Sequence, residues 1–185
     1  KEPTRLALDE RGRLLVAEYG RADTLRVVEA ALAAPAWMGP AGAVSTVAGN
    51  GEKGFADGEG AAARFDGPTD VVVDKEGTMV VADMENHRLR KIRGRQVTTL
   101  AGGSEAGAAD GAGAAARFKQ PVLLALDERG RLLVGECDRA DTLRVVEASL
   151  AAPAWMGPAA AGAAAEAPLD EEKAAALAAL LQDYG

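Results

Sequence analysis

His87 is the chain's one histidine and stands in Asn86-His87-Arg88. Histidine is the usual general base near neutral pH. A lone one with no second base or nucleophile beside it lacks a complete mechanism. Asp74, Asp83, Asp127 and Glu136 recur at the ends of apolar runs. Two such carboxylates could share acid and base roles. Their recurrence at turns points instead to accepting backbone N–H groups. Asp57-Gly58-Glu59-Gly60 is acidic and glycine-rich, but it lacks the alternating ligands of a calcium loop. Cys137 is the single cysteine, which excludes an internal disulfide and a multi-cysteine zinc site. Its neighbours Glu136 and Asp138 disfavour a thiolate. The expectation is no catalytic residue, no metal, no cofactor and no enzymatic activity.

Two other groups are candidates for recognition rather than catalysis. Arg88, Arg90, Lys91, Arg93 and Arg95 lie within eight residues beside His87. Clustered cations suit phosphate contacts. No aromatic residue interleaves them for base stacking. Side chains of a strand also alternate between its two faces, which splits the cluster. The whole chain carries a net charge of −7. Nucleic acid is therefore not the expected partner, and pairing with acids of an adjacent strand is the simpler fate. Trp37 and Trp155 each sit in Pro-Ala-Trp-Met-Gly-Pro. Flanking prolines stiffen the segment, and each indole can dock on an adjacent sheet or meet a partner.

The elements that must position these residues are repeats. Residues 6–41 and 124–159 are identical at 32 of 36 positions, at an offset of 118. A second self-match has an offset of 53. Val44–Gly49 aligns with Val97–Gly102, Asp57 with Asp110, Phe65 with Phe118, Pro68 with Pro121, Asp74 with Asp127 and Gly77 with Gly130. A period near 50 indicates a propeller, solenoid or array. Within the middle unit, Val71–Val73, Thr78–Ala82, His87–Ile92 and Val97–Leu100 read as four short strands. Turns fall at Asp74-Lys75-Glu76-Gly77 and at Gly94-Arg95. Four strands with tight turns make one blade-sized antiparallel sheet. Phe65 and Phe118 are the large apolar residues of the glycine-rich crossovers, and they are expected to plug the gaps between sheets.

The stretch from Pro68 to Ile92, with Asp74, Gly77, Ala82-Asp83, Asn86-His87-Arg88 and Arg90, resembles an NHL repeat. Asp70 departs from the glycine common there, and the first and third units lack Asn-His-Arg. The resemblance implies an all-β fold. It consists of a partial NHL-type β-propeller of about three four-stranded blades, the last incomplete, plus a C-terminal α-helix. In that reading Phe65, Pro68, Asp74, Gly77, Asp83, Asn86, His87, Phe118, Pro121, Asp127 and Gly130 are structural signature positions. The text from Asp141 to Pro158 is similar to the junction of algal-type proteins that carry NHL repeats before a BTB domain.

The expected organisation is blades over 1–150, with repeats at about 1–49, 50–102 and 103–150. An Ala/Pro-rich linker follows over 151–169, and an amphipathic helix over 170–185. Leu177, Leu180, Leu181 and Tyr184 line one stripe of that helix. Closed propellers take four to eight blades. About three blades therefore leave three alternatives: missing blades upstream of Lys1, assembly with other chains, or a truncated gene product. The missing blades or a following BTB domain are expected in the full-length chain. No signal peptide or membrane span is visible, so the cytoplasm is the expected location. The expected function is a non-enzymatic protein-interaction module, the substrate-recognition part of a BTB-type ubiquitin-ligase adaptor, with the protein partner unknown. The alternatives are an RNA-binding NHL propeller and a metal-dependent lactonase- or lyase-like propeller.

Overall fold

The computed structural model describes residues 2–8, 14–19, 24–29, 43–137, 143–148 and 150. The expected linker over 151–169, the helix over 170–185, Trp37 and Trp155 lie outside the described residues.

Among the described residues, twelve strands form three antiparallel sheets. The first sheet is a meander of β1 (Glu2–Leu8), β2 (Leu14–Tyr19), β3 (Thr24–Glu29) and β4 (Ala43–Ala48). The second joins β6 (Pro68–Val73), β7 (Met79–Asp83), β8 (Arg88–Arg93) and β9 (Gln96–Gly102). The two-residue β5 (Gly58–Glu59) adds to the outer edge of β9. The third sheet has three described strands, β10 (Pro121–Leu126), β11 (Leu132–Glu136) and β12 (Leu143–Val146). No α-helix occurs among the described residues, and short 3-10 turns at Gly60–Ala62 and Gly113–Ala115 sit in the crossovers. Consequently, no described helix is long and apolar enough to cross a membrane.

The repeat is written into the pairing. Each first strand has a proline at its first or second residue, with a register shift just after it, between Pro3 and Arg5, Pro68 and Asp70, and Pro121 and Leu123. Proline has no N–H for the ladder, so a bulge is where a sheet tolerates it. An acid sits opposite each proline: Glu18, Asp83 and Glu136. A second shift falls between Leu25 and Arg26 and again between Leu89 and Arg90.

The second strands are central in their sheets. Every residue of β7 and of β11 is buried. Such strands read as continuous apolar runs rather than alternations. The hairpin before each of them closes on an aspartate. Asp74 Oδ1 accepts the Glu76 and Thr78 N–H groups at 2.9 and 2.8 Å. Asp127 Oδ1 accepts those of Arg129 and Arg131 at 2.9 and 2.8 Å. Gly77 and Gly130 take the left-handed step of the turn, at φ 79° and 75°.

Neighbouring sheets share a core. Phe65 is fully buried among Leu15, Ala17 and Leu25 of the first sheet and Val71, Val81 and Ile92 of the second. Phe118 repeats this between Val80, Ala82 and Leu89 of the second sheet and Leu124, Leu132 and Val134 of the third. The first strands β1, β6 and β10 lie side by side. Two side chains of β6 tie it to β10. Asp70 Oδ2 accepts the Leu124 N–H at 2.8 Å, and Thr69 Oγ1 donates to the Pro121 carbonyl at 3.2 Å.

Candidate interaction site

The basic run expected as one surface is divided by the fold. Arg90 is fully buried, with 0% of its side chain exposed. This corrects its placement on an interaction surface. Arg88, Arg90 and Ile92 share the face of β8 that packs on the preceding crossover, and Arg90 lies beneath that crossover.

Its guanidinium is a hub. Nη1 donates to Asp83 Oδ2 at 2.6 Å and to the Arg64 carbonyl at 2.9 Å. Nη2 donates to the Ala56 carbonyl at 2.6 Å and to Asp57 Oδ1 at 2.8 Å. The Phe65 and Phe55 rings flank it at 5.0 and 4.8 Å. Nε is buried with no hydrogen-bond partner. Asp83 also accepts the Asp66 N–H at 2.8 Å and Asn86 Nδ2 at 2.9 Å. Burial pushes the Asp83 carboxyl up to about 6, against the opposing pull of Arg90 and these hydrogen bonds. A planar fork with five donors suits this task, binding two carboxylates and two carbonyls at once.

The third sheet repeats the hub. Arg144 Nη2 donates to Asp110 Oδ1 at 2.7 Å and to the Ala109 carbonyl at 2.9 Å. Nη1 donates to the Arg117 carbonyl and lies 3.7 Å from Glu136 Oε1. The Phe118 ring is 4.7 Å away. Asp57, Phe65 and Asp83 thus have Asp110, Phe118 and Glu136 as counterparts. The recurrence of an arginine with two acids and a phenylalanine is the signal that reveals a structural hub. It was hidden because Arg144 lies 54 rather than 53 residues after Arg90.

The other candidates separate. Arg88 is half-buried, lies 4.0 Å over the Phe55 ring, and donates to the Asn86 carbonyl at 2.8 Å. Burial and then the neighbouring Arg90 lower its pKa. Lys91 is half-buried on the opposite face of β8. Arg93 is exposed, 3.6 Å from Glu76. Arg95 is exposed and donates to the Thr46 carbonyl at 3.2 Å. His87 lies in the turn before β8, where its Nδ1 accepts the Gln120 N–H at 3.3 Å. Asn86 Nδ2 reaches the Gly54 carbonyl at 3.0 Å as well as Asp83. Cys137 is exposed, and no trio of His, Cys, Asp or Glu among the described residues could hold a metal.

A groove of about 640 Å³ runs along β12, between that strand and the crossover around Asp110–Gly113, with Leu100, Ala101 and Phe118 also lining it. Val145 beside it is an exposed apolar residue. Among the described residues, β12 pairs only with β11.

Comparison with known proteins agrees with this geometry. Residues 65–92 match the NHL repeat family. The fold is β-propeller-like. It resembles an auxiliary nutrient binding protein of Bacteroides ovatus, with TM-score 0.61 and 25% identity over 71% of this chain and 34% of that one. The corresponding protein of Bacteroides thetaiotaomicron gives TM-score 0.60 and 24% identity over the same shares. In sequence, the chain is 35% identical over 82 residues to the protein SUPPRESSOR OF QUENCHING 1, chloroplastic, of Arabidopsis thaliana. That match covers 43% of this chain and 8% of the relative. The chain thus spans about a third of those structures and under a tenth of that relative.

Proposed function

We propose that the chain is part of an NHL-type β-propeller that acts as a non-enzymatic protein-interaction module. The observation that supports this reading is the groove of about 640 Å³ between β12 and the crossover around Asp110–Gly113, with Leu143, Val145 and Val146 beside the charged Asp110 and Arg144. A concave apolar surface rimmed by polar side chains is a place where partners dock. The polar groups that chemistry would need are engaged elsewhere. Asp83, Arg90, Asp57, Glu136 and Arg144 hold crossovers onto sheets, and Asp74 and Asp127 close hairpins.

The finer form of the proposal is the substrate-recognition part of a BTB-type ubiquitin-ligase adaptor in the cytoplasm, which rests on the similarity of the text from Asp141 to Pro158. The test is capture by the full chain from cell extract, followed by reconstitution with the purified captured protein. A defined stoichiometric complex is expected, and cullin among the captured proteins supports the adaptor form. Failure to reconstitute any complex overturns the interaction reading. Salt-sensitive retention of single-stranded RNA on a filter would shift it to nucleic acid, and metal-dependent lactone turnover would make it an enzyme. Imaging of the tagged protein tests the location, since the Arabidopsis relative is named chloroplastic.

A further inference from the structure

Asn50 and Asn86 are the chain's two asparagines, and the fold treats them differently. Asn86 Nδ2 donates to the Gly54 carbonyl at 3.0 Å and to Asp83 Oδ2 at 2.9 Å. The main-chain nitrogen after it is engaged too, since the His87 N–H donates to the Met84 carbonyl at 3.0 Å. Asn50 is exposed and is followed by Gly51. Among the described residues, no acceptor takes the Gly51 N–H. Gly51 stands at φ 85°, and it has no Cβ to shield its nitrogen.

The Asn50 side chain is also bent toward that nitrogen. Its Oδ1 accepts the Glu52 N–H at 2.9 Å, so it folds back over the Gly51 peptide. The amide carbon then lies beside the Gly51 nitrogen. Reacting atoms held together in this way need no encounter in solution. The Glu52 N–H points at the oxygen on which negative charge develops during attack on that carbon. The fold itself does not require this amide. Gly103 and Ser104 are the repeat counterparts of Asn50 and Gly51, and a Cβ on Gly103 would fall 2.6 Å from Arg117 Nη1.

We propose that Asn50-Gly51 is a site of self-modification, at which Asn50 converts to isoaspartate and aspartate and the crossover covering Arg90 is loosened. Hydroxide takes the Gly51 proton, and the nitrogen bonds to Asn50 Cγ. The Cγ–Nδ2 bond breaks, and the amide nitrogen leaves as ammonia with a proton from water. Water then opens the cyclic imide. Opening at Cγ gives aspartate, and opening at the backbone carbonyl gives isoaspartate, whose main chain runs through Cβ and Cγ. Nothing is oxidised or reduced. Both products set a carboxylate beside Glu52, where Asn50 Nδ2 now donates to Oε2 at 3.4 Å. Isoaspartate also lengthens the main chain between two anchors. These are the Gly49 N–H on the Gly60 carbonyl at 3.0 Å and the Gly54 N–H on the Phe65 carbonyl at 3.1 Å. Just beyond them, the same crossover brings Ala56 and Asp57 onto Arg90.

The test ages the full chain at mildly alkaline pH beside free peptides of residues 46–56 and 82–92. Mass spectrometry with electron-transfer fragmentation separates isoaspartate from aspartate. Asn50 in the folded chain should convert at a rate within tenfold of its peptide. Asn86 should convert at least tenfold more slowly than its own peptide. Asn50 intact when its peptide has converted overturns the site, and so does equal conversion of the two asparagines in the folded chain. Hydrogen exchange of the separated isoaspartate form reads the consequence. Its Gly49 and Gly54 amides should exchange at least tenfold faster than in the unmodified chain. Unchanged exchange overturns the loosening of the crossover.

Discussion

His87 and Gln120 face each other across the junction of the second and third sheets, and both hold a left-handed backbone, at φ 55° and 54°. The Gln120 N–H donates to His87 Nδ1. Such a conformation costs a non-glycine residue about 1 kcal/mol or more, so the local contacts must hold it. The histidine of Asn-His-Arg is thus a joint between sheets.

His87→Asn keeps both an acceptor and tolerance of this backbone, and it should change stability by less than about 0.5 kcal/mol. His87→Val has neither and should cost about 2 kcal/mol. Thermal melting measures the stability. Exchange of the Gln120 amide should quicken in the valine variant alone.

The two arginine hubs differ in exposure. Asp83 and Arg90 are both sealed, whereas Asp110 is open to water. Arg90→Ala strands a buried carboxylate and should cost about 3–5 kcal/mol. Arg144→Ala should cost about half that, because water can replace the guanidinium at Asp110. Urea unfolding of the two variants decides the order, and equal losses would contradict it.

Asp83 gives stability a pH signature. Its folded value of about 6 stands above the ordinary 3.8. The folded chain keeps this proton where the unfolded chain releases it. The group's contribution is full below about pH 4 and is lost as pH rises through about 6, by about 3 kcal/mol at most. Asp127 runs the other way. Burial opposes its ionisation, but hydrogen bonds from Arg131 and two backbone N–H groups lower it overall, so its contribution is lost as pH falls. The stability of wild type relative to Asp83→Asn should therefore decline between pH 4 and 7. A flat difference would contradict the assignment.

Asp70 joins β6 to β10, and it accepts the Val71 N–H at 2.8 Å as well as that of Leu124. Asp70→Ala leaves two buried N–H groups without this acceptor and should cost about 2–3 kcal/mol. The Leu124 amide should then exchange at least tenfold faster. Protection unchanged from wild type would show that the bond is dispensable.

The repeat made the sheets legible, because Phe65, Pro68, Asp74 and Gly77 recur 53 residues later with the turns they imply. Strand limits shifted by one to three residues, and the strand expected over Val71–Val73 already starts at Pro68. His87 stands in a turn rather than opening β8, and β9 runs on to Gly102. The site was harder to read. Five cations in eight residues look like one surface, yet Arg90 is drawn inward by Asp57, which lies 33 residues upstream. Local spacing carries no trace of such a partner. Asp70 has Leu123 at its repeat position, so no self-comparison marks it, and its role appears only when β10 lies alongside.

The seating of Phe65 and Phe118 bears on how such a chain can change length. Each ring fills the gap between the sheet before it and the sheet after it, with equivalent neighbours on both sides. An in-frame excision of 53 residues would bring Phe118 into the place of Phe65, against the first sheet, with its own arginine and acids attached. Duplication of the same stretch would insert one more sheet with every junction preserved. A change of length by whole repeats therefore reuses an interface the fold already has, whereas a change by part of one would leave a ring without its neighbours.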